Sequence, residues 1–131
     1  MKIEDHYENL KESLELIEES IEKGLVKRQR TIGFNTSLAS ADMLEIFLHK
    51  NDLIDAGFMV KHEWLKSKKS MENKLPFEFP RKEEILLLLF KIEEKRNVLC
   101  YGKPKREELI REVLDNFNKL REIFRGEGLN V

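Results

Sequence analysis

The chain of 131 residues contains one cysteine, one tryptophan, one glutamine and three prolines. With Cys100 alone no internal disulfide can form, which fits a reducing compartment. No apolar run approaches the roughly 20 residues that a membrane span needs. The opening MKIEDHYENL is charged and lacks the apolar segment of a signal peptide. These absences predict a cytoplasmic protein with no membrane contact. The three histidines, His6, His49 and His62, fall in separate segments, with neither zincin spacing nor a Glu-x-x-His pair. No metal site and no cofactor is therefore expected. No Walker loop, dinucleotide glycine fingerprint or nucleophile elbow is found. Cys100 has no histidine near it in sequence and reads as a small buried apolar side chain.

A net charge of −1 argues against a chain built throughout to bind polyanions. The charge is unevenly placed, however. Residues 1–22 carry eight acids against two bases, whereas residues 96–106 carry Arg96, Lys103, Lys105 and Arg106 and no acid. A local basic patch of this kind can hold phosphate.

The length predicts a single domain over residues 1–131, able to bury about two-thirds of its unfolded surface without a staple. Ile3, Tyr7, Leu10, Leu14, Ile17 and Ile21 form one apolar stripe on a first helix over 2–23, ended by Gly24. A second helix is expected over 28–50, although Gly33 could delay its start to the capping residues Asn35–Ser37. A short helix is expected at about 58–70. Pro76 and Pro80 then impose a loop. A fourth helix runs from Pro80 to about Leu99, and a fifth from Pro104 to before Gly126. The tail from Glu127 is expected to be mobile. With no strand pattern and no repeat, the chain reads as all-α, an up-and-down bundle of about five helices. The fourth helix, apolar on nearly every side around Ile85–Phe90, is expected at its centre.

Its C-terminal end carries the one suggestive constellation, Arg96-Asn97-Val98-Leu99-Cys100-Tyr101. In structural terms Arg96 could simply pair with Glu93 while Asn97 caps a turn. The pattern also resembles the HEPN superfamily, all-α proteins of about this length whose signature is Arg, a short spacer, then His, often with Asn after the Arg. Arg96 and Asn97 match, and Val98-Leu99 suits the toxin-type spacer; Tyr101 stands where the family has histidine. The resemblance implies a homodimer with a cleft lined by both copies, RNA or nucleotide as ligand, a nucleotidyltransferase-type partner, and a role in a toxin–antitoxin or defence system.

The tyrosine departs from the family chemistry. Taking a proton from a ribose hydroxyl near neutral pH suits an imidazole, with a reference pKa of about 6.5, better than a phenol at about 10. No histidine follows His62 in the chain. The leading expectation is thus a non-catalytic or weakly active binding module using Arg96, Asn97, Tyr101, Lys103, Lys105 and Arg106. The alternatives are an active metal-independent RNase with a modified site, and a purely structural helical dimer. Residues five apart on a helix point about 140° apart. Arg96 and Tyr101 therefore converge only if the helix ends between them or a second copy intervenes.

Overall fold

The computed structural model describes residues 1–131 and consists of helices joined by loops, with no strand: an all-α bundle of five helices. These are α1 (Ile3–Lys23), α2 (Gln29–Lys50), α3 (Lys68–Lys74), α4 (Lys82–Tyr101) and α5 (Glu107–Gly126), with a 3₁₀ turn at His62–Lys66 before α3. No helix is long and apolar enough to cross a membrane.

The helix at the centre is α2 rather than α4. It packs against α1, α4 and α5, and its buried residues run around most of its circumference. Small side chains make this approach feasible: Ser37, Ala39, Ser40 and Ala41 are all buried. Gly33 is central to it. A Cβ at this position would lie 2.6 Å from the Leu99 Cβ and 3.5 Å from the Cys100 Sγ, so α2 and α4 meet here backbone to backbone. The glycine that weakens the sequence case for an early helix start is needed inside the helix for packing, and α2 begins at Gln29.

On α1 the buried positions are His6, Leu10, Ser13, Ile17 and Ser20. The apolar stripe is therefore turned partly outward: Tyr7 and Leu14 are half-buried and Ile21 is exposed. Three polar side chains face α2 in their place. Gly24, at φ 123°, a conformation that L side chains rarely adopt, ends α1, and its N–H donates to the Ser20 carbonyl.

The expected helix over 58–70 is replaced by two shorter pieces, because Ser67 caps α3 by accepting from the Ser70 N–H and breaks the run. The aromatic residues of this region pack on one another, with Phe58 5.8 Å from both Trp64 and Phe77. Phe47 on α2 meets Phe79 and Phe124, tying the loop and α5 to the centre. The C-terminal tail is packed rather than free: Leu129 is buried and its N–H donates to the Phe124 carbonyl at 2.9 Å.

Candidate functional site

The C-terminal end of α4, the α4–α5 turn and the start of α2 come together around one side chain. Gln29 is buried, and its amide N–H groups donate to the carbonyls of Leu99 and Lys103, both at 3.2 Å. Its carbonyl oxygen accepts from the Lys105 N–H at 2.7 Å. The last turn of α4 carries no basic residue, so Gln29 supplies capping that the helix lacks in its own sequence. The Cys100 Sγ lies 3.7 Å from the Arg30 carbonyl. Burial pushes this thiol up, against the opposing pull of the Arg96 and Arg30 charges on either side. Gln29 thus joins the segment that carries Lys27, Arg28 and Arg30 to the run from Arg96 to Arg106. None of these seven cations has a carboxylate within ion-pair distance.

Arg96 is half-buried, with its guanidinium carbon 5.2 Å above the Phe34 ring and its Nε enclosed without a hydrogen-bond partner. The Arg96–Glu93 pair considered from sequence is not formed. Asn97 is exposed, as are Lys103 and Arg106, and Lys105 is half-buried. Because α4 is helical through Tyr101, the 140° separation holds. Tyr101, 75% exposed, projects from the outer side of α4 while Arg96 turns toward α2. One chain does not bring these two residues together.

What stands beside Arg96 instead is a polar cluster that sequence reasoning missed. The Ser37 hydroxyl donates to Glu93 Oε2 at 2.7 Å, and His62 Nδ1 lies 3.0 Å from the same oxygen and 3.1 Å from Ser37 Oγ. An ionised carboxylate accepts, so Nδ1 carries a proton. Burial works to raise the Glu93 pKa, but hydrogen bonds from His62 and Ser37, with the charges of His62 and Arg96, outweigh it and hold the group below its ordinary value. The sign follows from linkage: this stabilisation is present above the unfolded carboxyl value of about 4.3 and is lost as pH falls through the lower folded value. Glu93→Gln is expected to flatten that acid limb in denaturation measured from pH 6 to 3. An unchanged limb would remove Glu93 from the account.

A second cluster lies in the same cleft, of about 460 Å³, which His62 and Phe34 also line. His6 Nδ1 is 2.8 Å from Asp42 Oδ1, and His6 Nε2 is 3.7 Å from Glu45 Oε1. The His6 ring is 2% exposed, and Nε2 has no hydrogen-bond partner. Burial pushes the carboxyls of both Asp42 and Glu45 up, against opposing contributions led by His6. The sequence offered one signal for this cluster, an acid at Glu45 inside the apolar run Met43–Leu48. Its partner on α1 is distant in the chain. No family model, curated protein or solved structure matches the chain.

Proposed function

We propose that this protein is a HEPN-like helical module that binds RNA or a nucleotide through phosphate, with binding rather than catalysis as its main activity. The observation that carries this reading is the set of seven cations on two chain segments that Gln29 links, all left without ion-pair partners. Unpaired guanidinium and ammonium groups are free to exchange water and counterions for phosphate oxygens. Arg96 contributes a guanidinium oriented by Phe34, and the exposed Tyr101 ring offers a stacking surface for a base.

In this proposal the protein works as a homodimer. The outer side of α4 presents Leu87, Val98 and Tyr101 to solvent, with Phe90 half-buried beside them. A second copy seated there would cover this apolar face. The cellular setting that follows is cytoplasmic, in a toxin–antitoxin or defence system beside a nucleotidyltransferase-type partner.

The test is fluorescence anisotropy with a short single-stranded RNA over a salt series. Binding is expected to weaken as salt rises, with a slope of about −0.7 per phosphate contacted. Arg96→Ala is expected to cost about 1–3 kcal/mol through loss of charge-assisted hydrogen bonds. Tyr101→Ala should weaken binding more than Tyr101→Phe, because stacking needs the ring and not the hydroxyl. Sedimentation at tens of micromolar reads the assembly in the same buffers. Absence of RNA binding at low salt leaves only the structural helical dimer.

The second reading, a metal-independent RNase, is favoured by His62, a histidine of suitable reference pKa that hydrogen-bonds to Glu93 one helical turn before Arg96. Cleavage of the same RNA by the native protein, lost in both His62→Gln and Arg96→Ala, would promote this reading over simple binding.

A further inference from the structure

We propose that His6, Asp42 and Glu45 form a binding site for one divalent transition-metal ion, of the zinc or manganese class, clamping the start of α1 to the second half of α2. The ligand atoms of these three side chains all lie within 4.8 Å of one another. The arrangement has a donor left over. In neutral imidazole one ring nitrogen donates and the other accepts. Asp42 Oδ1, at 2.8 Å, takes the Nδ1 proton, which leaves the Nε2 lone pair pointing into a buried space.

Facing that lone pair is Glu45 Oε1 at 3.7 Å, too far for a hydrogen bond and itself a carrier of lone pairs. Two electron-rich atoms turned toward each other in a buried site call for a cation between them. The spacing suits one. Two atoms each about 2.1 Å from zinc and separated by this distance subtend about 120°, within reach of tetrahedral geometry. A histidine whose other ring N–H is held by a carboxylate is also the common state of a metal-ligating imidazole. Asp42 therefore orients His6 from the far side of the ring, while Glu45, the carboxylate ligand, is positioned by the Val60 N–H at 3.3 Å.

The charge balance points the same way. Two carboxylates share a cleft where burial disfavours the charge of both. Positive charge at His6 acts on both, with lesser contributions from the amino terminus on Glu45 and His62 on Asp42, and a metal ion held at Nε2 would take the place of the ring's second proton. Magnesium and calcium are poorer fits, since they prefer all-oxygen shells. Nitrogen and oxygen together suit zinc or manganese. The cleft beside the site leaves room for water to complete the shell.

The experiment is isothermal titration of the chelator-treated protein with zinc chloride, repeated with manganese and magnesium chlorides, alongside thermal melts. One equivalent of zinc is expected to bind and raise the melting temperature, with magnesium at least tenfold weaker. His6→Gln and Glu45→Gln should abolish the tight event, and Asp42→Asn should weaken it about 10–100-fold as loss of an orienting partner. His49→Gln should leave it unchanged, although His49 lies 5.9 Å from the His6 ring. A readout on the native protein covers variants that fail to fold. Zinc should shift the His6 Nε2 resonance in imidazole nitrogen spectra while Nδ1 stays protonated. Three outcomes overturn the proposal: no tight event in the native protein, an event that persists in both His6→Gln and Glu45→Gln, or zinc shifts confined to His49 or His62. Any of these would make His6 a plain link between two carboxylates and leave the RNA-binding proposal standing.

Discussion

Gln29→Ala is expected to lower the unfolding free energy by about 2–4 kcal/mol, far more than an ordinary polar-to-alanine change. The side chain makes three hydrogen bonds to backbone groups of one turn. A typical intramolecular hydrogen bond contributes about 0.5–1.5 kcal/mol net, and a buried group stripped of its partner costs about 1–3 kcal/mol. The Leu99 carbonyl is such a group: it belongs to the last turn of α4, where carbonyls have no partner further along the helix. Water can replace Gln29 at the exposed Lys103, which keeps the sum below the largest total. Gln29→Glu should do no better than alanine, since it retains an acceptor for Lys105 but loses both donors and buries a charge. Chemical denaturation with an unchanged slope provides the measurement, and hydrogen exchange at the Lys105 amide localises the effect. The same substitution should weaken RNA binding, because it releases the turn that carries Lys103 and Lys105. A stability change within about 0.5 kcal/mol, the range of inert surface sites, would mean that Gln29 does not staple this turn.

The helices are legible in the sequence because their signals are local. The amphipathic repeat of α5, the break at Gly24 and the prolines at 76 and 80 each act within a few residues, and the observed boundaries fall close to the expected ones. The identity of the central helix is not legible. The run from Ile85 to Phe90 is the most hydrophobic in the chain, yet Leu87 lies exposed on the outside of α4. The number of apolar side chains on a helix sets what it can bury, whereas centrality depends on how closely neighbours approach. On α2 the second factor wins, through Gly33 and the small residues that follow it.

The candidate site is legible only where its residues are consecutive. The run from Arg96 to Arg106 can be read directly, but its neighbours at 27–30 cannot, because the glutamine that joins them carries no motif. In the linear chain His62 stands too early to serve Arg96. The 3₁₀ turn brings it to Glu93 across 31 residues of sequence. His6 sits in what reads as a solvated acidic helix, and its burial follows from the rotation of α1 toward α2.

The close approach of α2 and α4 yields the other large effect. Gly33→Val is expected to destabilise the protein by at least the upper part of the range for overpacked cores, about 1–3 kcal/mol, and Gly33→Ala by somewhat less. Two effects of the alanine compete. Glycine inside a helix costs about 1 kcal/mol relative to alanine, so propensity alone predicts a gain. Against this, the new Cβ would sit 2.6 Å from the Leu99 Cβ, far inside contact distance for two carbons near 3.5–4.0 Å. The opposing atom is attached directly to the α4 backbone, so no rotamer change can move it and the helices must separate. Separation would also disturb the Gln29 bonds to the Leu99 and Lys103 carbonyls. The steric term should therefore dominate. Leu99→Ala offers a specific check, because it removes the outer side chain but keeps the Cβ. It should fail to rescue Gly33→Ala, whereas Leu99→Gly should restore part of the lost coupling in a double-mutant cycle. A Gly33→Ala protein that melts higher than the parent would show that propensity wins and that α2 and α4 are less tightly apposed than their geometry indicates.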